Sequence, residues 1–174
     1  MEKKTIDWQR EHKPMIEDLM PDHLSGNDLK IALDFAAYLR ENKMKSTWTL
    51  NYAWKSISKG KPLYYIRLGW HWKGNSGVKN IKWVVTLYLN NMDKYKDEIF
   101  NAGLQDVIWA DFYECKRCGD KCAPGIKKTI LGKELIGICR STLGMNRLPV
   151  NFVNPDETAI EQIKQLLALE KQAR

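Results

Sequence analysis

Between Thr47 and Leu89 large apolar residues alternate with polar or small ones, and this period of two constrains the fold more than any other feature of the chain. Trp48, Leu50, Tyr52 and Trp54 alternate with Thr47, Thr49, Asn51 and Ala53. Tyr64, Ile66, Leu68, Trp70 and Trp72 alternate within residues 63–72, and Ile81, Trp83, Val85, Leu87 and Leu89 within 81–89. Successive side chains of a strand point to opposite faces, so each set predicts one apolar face of a half-buried strand. Ser58-Lys-Gly-Lys-Pro62 and Lys73-Gly-Asn-Ser-Gly77 supply turns short enough for neighbouring strands to run antiparallel. Gly69 marks a place for a bulge or for the close approach of another group.

The period changes to helical on both sides of this region. Leu29, Ala32, Leu33, Ala36 and Leu39 predict a helix over 28–42, capped by Ser25 or Asn27. Ile160, Ile163, Leu166 and Leu167 predict another over 157–171, with Asn154 as N-cap, Pro155 at N1 and Glu157 at N3. Shorter helices are expected over 11–19 and 93–101, the second closed by Gly103. Residues 1–10 read as loosely ordered. Residues 105–113 read as a fourth strand leading to Cys115, and 129–138 as a hairpin that returns Cys139. Strands in a run, not alternating with helices, give an α+β class: an antiparallel sheet with helices packed on one face. The 174 residues, 44% hydrophobic, suffice for one domain spanning 1–174. No apolar run is long enough to span a membrane.

All four cysteines lie in one segment, Cys115, Cys118, Cys122 and Cys139, spaced C-x2-C-x3-C-x16-C. Thiolates two residues apart on a tight turn can address one ion, and Gly119 after Cys118 lets such a turn form. Four thiolates complete a tetrahedral Zn²⁺ shell, so this reading gives a structural zinc and a metal-stapled, cysteine-rich insertion over 115–139. Reduced buried cysteines, disulfides and an iron–sulfur cluster are the competing readings. Residues 1–30 hold no apolar run of the signal-peptide kind, which points to a reducing cytoplasm and away from disulfides. Lys116, Arg117, Lys121, Lys127 and Lys128 would partly neutralise the thiolates.

Cys118-x3-Cys122-Ala-Pro-Gly125, then Thr129-Ile-Leu-Gly-Lys-Glu134 with Cys139, then Asn154-Pro-Asp156, resembles a small uncharacterised family of bacterial proteins with a Trp-rich N-terminal half. The resemblance implies no activity and assigns no residue a role.

The net charge of +7 is unevenly spread: residues 40–90 hold ten Lys/Arg against only Glu41. That block calls for an anionic partner or a highly solvated surface. No catalytic motif stands out, which favours binding over catalysis. The leading reading is a zinc-containing, sensor-like domain for a small organic or anionic ligand. Its site would lie between sheet and helix, lined by Trp54, Trp70, Trp72, Trp83 and His71. The alternative is a basic binder of single-stranded nucleic acid. It would use the opposite, open sheet face, where Tyr65 and Tyr88 stack bases and Arg67 and Lys82 meet phosphates. Plain core packing for the tryptophans and a solvated face for the rest are the simpler alternatives.

Overall fold

The apolar sets of the sequence meet across a five-stranded antiparallel sheet. The computed structural model describes residues 5–49, 52–69, 80–112, 126–138 and 148–174. Its strands are β1 (Thr47–Trp48), β2 (Ala53–Ser58), β3 (Lys61–Leu68), β4 (Trp83–Leu89), β5 (Ile126–Ile130), β6 (Lys133–Ile138) and β7 (Leu148–Val153). The main sheet has the order β1-β2-β3-β4-β7, and β5 and β6 form a separate hairpin. Lys59 and Gly60, both with positive φ, join β2 to β3, as a two-residue hairpin requires. The helices are α1 (Ile6–His12), α2 (Met20–His23), α3 (Gly26–Glu41), α4 (Lys96–Asn101), α5 (Gln105–Ala110) and α6 (Glu157–Gln172). Among the described residues no helix is long and apolar enough to cross a membrane.

The register fixes which side chains form the core. Trp54 faces Ile66, Ile66 faces Val85, and Val85 faces Phe152, while Tyr64, Leu87 and Val150 form the next row. This face packs in one buried cluster with Ile31, Ala32, Phe35, Ala36 and Leu39 of α3 and Ile160, Ile163, Leu166 and Leu167 of α6. Leu29 and Leu33 are only partly buried. The buried stripe of α3 is therefore centred on Ile31 and Phe35, beside the stripe predicted from spacing.

Four expectations are corrected. Residues 47–54 are not one strand. Tyr52 has φ +57°, and the chain folds back so that Trp48 pairs with Trp54 across a hairpin. The two tryptophans share a face, but as partners on adjacent strands. In place of the expected fourth strand over 105–113, residues Gln105–Ala110 form a helix and Phe112 makes an isolated antiparallel bridge to Val150. Gly103, at φ +67°, ends α4 with Gly103 N–H bonded to the Phe100 carbonyl and Leu104 N–H to that of Ile99, a Schellman closure. α5 then buries Ile108, and the Trp109 indole donates to the Ile130 carbonyl at 3.0 Å, so tertiary packing overrides the strand-like composition. The N-terminal segment is helical over Ile6–His12, capped by Thr5, and the helix expected over 11–19 is reduced to a turn of 3-10 helix at Ile16–Asp18. Buried Gln9 ties it down, its Oε1 accepting from Trp48 Nε1 at 3.2 Å and Tyr52 N–H at 3.3 Å.

The start of α6 is the fourth correction. Its N-cap is Asp156, whose carboxylate accepts from Ala159 N–H at 2.8 Å. Asn154 sits at φ +46° and turns its side-chain oxygen to the N–H groups of Lys82 and Trp83, at 2.7 and 3.2 Å. It therefore fixes the start of β4 and not the helix.

Candidate functional site

The sheet face away from α3 and α6 gathers three of the four residues predicted for a nucleic-acid surface. Lys55, Tyr65, Thr86 and Asn151 form one cross-strand row over β2, β3, β4 and β7. Arg67 stands two residues along β3 from Tyr65, and Tyr88 two along β4 from Thr86, so both are diagonal neighbours within reach of long side chains. The Arg67 guanidinium carbon lies 4.9 Å from the centre of the Tyr65 ring. Tyr65 and Tyr88 meet edge to face, with centroids 5.7 Å apart at 64°. Arg67 Nη1 donates to Thr86 Oγ1 at 3.2 Å, and Thr86 donates to Asn151 Oδ1 at 2.7 Å. The Asn151 N–H in turn donates to the Asp111 carbonyl at 2.8 Å, tying this row to the end of α5.

Burial grades across this face. Val84, Thr86 and Asn151 are buried, whereas Lys55, Tyr65, Arg67 and Tyr88 are half-buried. The accessible part is thus a bounded patch around a buried centre. Desolvation draws the Arg67 pKa below its ordinary value, and Tyr88 and Tyr65 oppose that shift. Desolvation also raises the nearby Asp111 carboxyl to about 6. None of the five strands of the sheet contains Asp or Glu. Lys82, the fourth predicted residue, is exposed, and its ammonium pairs with Asp28 in the first turn of α3. Its charge is spent there and not beside Arg67.

The tryptophan set divides. Trp54 and Trp83 are fully buried in the helix-facing core. Trp54 Nε1 donates to the Pro14 carbonyl at 2.9 Å, while Trp83 Nε1 has no acceptor among the described residues. Trp70, His71 and Trp72 lie outside the described residues, as do Cys115, Cys118, Cys122 and Cys139. Among the described residues no group of His, Cys, Asp or Glu has the arrangement of a metal site.

Asn151 was missed from sequence. Its signal was the alternation of Leu148, Val150 and Phe152 with Pro149, Asn151 and Val153, a period of two that marks β7. His23 carries no signal in the sequence. It is half-buried, stacks edge-on with Tyr52 at 4.8 Å, and lies against Gly69. Comparison with the models of known protein families, with curated proteins and with solved structures gives no match to this chain.

Proposed function

We propose that this chain is a sensor-like binding domain for a small organic anion, held on the sheet face opposite the helices by Arg67 with Tyr65, Tyr88 and Lys55 around it. The observation that carries this reading is the half-buried guanidinium set against a tyrosine ring on a sheet without carboxylates. A partly desolvated guanidinium attracts an anion more strongly than an exposed one, and its planar fork fits carboxylate or phosphate. The tyrosine rings offer apolar walls to a planar ligand. A bounded patch suits a compact ligand better than a long strand.

The basic block of residues 40–90 supports a second reading, single-stranded nucleic acid on the same tyrosines. Adenosine monophosphate and a twelve-nucleotide thymidine strand, titrated in parallel at low salt, separate the two. The small-anion reading expects saturable binding of the mononucleotide that is lost in Arg67→Gln, with no large gain for the strand. Much tighter binding of the strand, with a salt slope of roughly 0.7 per phosphate contacted, would transfer the function to the second reading. Binding of neither would remove both.

We also propose one structural zinc on Cys115, Cys118, Cys122 and Cys139. Its support is the cysteine spacing and the β5–β6 hairpin, whose second strand ends at Ile138, next to Cys139 in the chain. Metal analysis of the purified chain is expected to give about one zinc per molecule, as a closed four-thiolate site implies, and less in Cys118→Ser. Equal metal in both would remove Cys118 from the site.

A further inference from the structure

A cleft of about 450 Å³ opens between the turn of 3-10 helix at Ile16–Asp18 and the C-terminal end of α3. That volume falls within the roughly 300–1,000 Å³ of small-molecule sites. It lies away from the Arg67 patch, on the helix side of the sheet. Buried Ile16, Ala36, Leu39 and Met44 contribute its apolar lining. Met15 stands at the rim, 57% exposed. Arg40, Lys43 and Lys45 are the cations of the lining, and Glu17 is its carboxylate.

The charges do not cancel. Glu17 is held by Arg40 at 2.7 Å. Lys43 and Lys45 have no ion pair among the described residues. Cations after a helix usually serve its terminal carbonyls and its dipole. Here four of the carbonyls at that end have other partners. The Tyr38 carbonyl accepts from Asn42, that of Leu39 from Met44 N–H, that of Arg40 from Lys43 N–H, and that of Asn42 from Lys171 Nζ. Among the described residues neither Lys43 nor Lys45 serves one of these four carbonyls, and both side chains are exposed at the rim.

The backbone explains how they reach the rim. α3 ends in a Schellman closure with Lys43 at the left-handed position, φ +57°, which glycine most often occupies. A lysine there keeps a strained conformation that a glycine would relieve. The closure turns Met44 inward between the two exposed lysines. The buried Tyr64 hydroxyl then donates to the Met44 carbonyl at 2.8 Å and lies 2.7 Å from Ser46 Oγ. Burial raises its pKa to about 12, so it remains a donor at neutral pH. The wall is thus built before any ligand arrives, which lowers the cost of binding.

We propose that this cleft binds an amphipathic organic anion, its apolar body against Ile16, Ala36, Leu39 and Met44 and its acid group at Lys43 and Lys45. Lysines act as point charges, so carboxylate and phosphate heads both fit.

The test is a titration of the ¹⁵N-labelled full chain with decanoate, decyl phosphate and decan-1-ol, each below its aggregation concentration. Saturable binding of either anion, with amide shifts centred on Ile16 and residues 39–46, is the expected result. Decan-1-ol should bind about tenfold more weakly, and Lys43→Gln/Lys45→Gln should lose about the same factor for the anions, as two partly exposed charge contacts allow. These lysines are exposed, so the variant is expected to fold, which its spectrum reports directly. Equal binding of alcohol and anion, an unchanged affinity in the double variant, or shifts centred elsewhere would each overturn the proposal.

Discussion

Trp54 and Trp83 look equivalent in the sequence and occupy the same face of the sheet, yet they differ by one hydrogen bond. Trp54 Nε1 reaches the Pro14 carbonyl, and Trp83 Nε1 reaches no acceptor among the described residues. Trp54→Phe removes volume and also orphans a buried carbonyl, whereas Trp83→Phe removes volume together with a donor that has no acceptor among the described residues. An orphaned buried partner costs about 1–3 kcal/mol, so Trp54→Phe is expected to destabilise by about that much more than Trp83→Phe in urea denaturation. Equal losses would mean that the bond to Pro14 contributes nothing. Single residues were legible where a special backbone demand shows in the residue type. Glycine at 69 marks a close approach, and a Cβ there would stand 2.6 Å from His23 Nδ1. The partner was not legible, because nothing local to His23 announces Gly69. Asn154 shows the converse. Its type and position match a helix cap, but its left-handed φ sends the side chain to β4, and Asp156 caps instead.

At the scale of elements, α6 is locked at its C-terminal end by a buried ion pair. Glu170 is fully buried and accepts from Asn90 N–H, Asn91 N–H, Asn91 Nδ2, Tyr95 Oη and Arg174 Nε at 2.7–3.1 Å. Arg174 donates onward to the carbonyls of Ser58, Lys61 and Pro62. The pair thus joins the helix to the β2–β3 hairpin and to the end of β4. Burial and the Glu170 carboxylate together raise the Tyr95 pKa, so its hydroxyl stays a donor to that carboxylate. Removing one member of a buried pair leaves the other uncompensated, so Arg174→Ala and Glu170→Gln are each expected to cost about 3–5 kcal/mol. The double variant should cost well below the sum, because the residues share one network. Strict additivity in denaturation would contradict that coupling. Periodicity made β3, β4 and the long helices legible. It misread 47–54, where the alternation continues through a reversal that no Gly or Pro announces, and 105–110, where Val107, Ile108 and Trp109 suit a strand until the β5–β6 hairpin engages Trp109.

On the scale of the whole molecule, the sheet separates two environments. One face is closed by α3 and α6 over Trp54, Tyr64, Ile66, Trp83 and Val85. The other gathers Lys55, Tyr65, Arg67 and Tyr88 around buried Val84 and Thr86. The α+β class and the division of faces followed from the period of two. The bounded shape of the patch did not, since alternation shows which side a residue takes and not how far solvent reaches it. The central claim is that Arg67 recognises an anion through its planar fork and its contact with Tyr65, and Arg67→Lys tests this most directly because it keeps the charge and removes both. Calorimetric titration of adenosine monophosphate into the two proteins is expected to show at least about tenfold weaker binding for Arg67→Lys, the loss of roughly one charge-assisted hydrogen bond. Equal affinity of the variant and the parent would contradict the account.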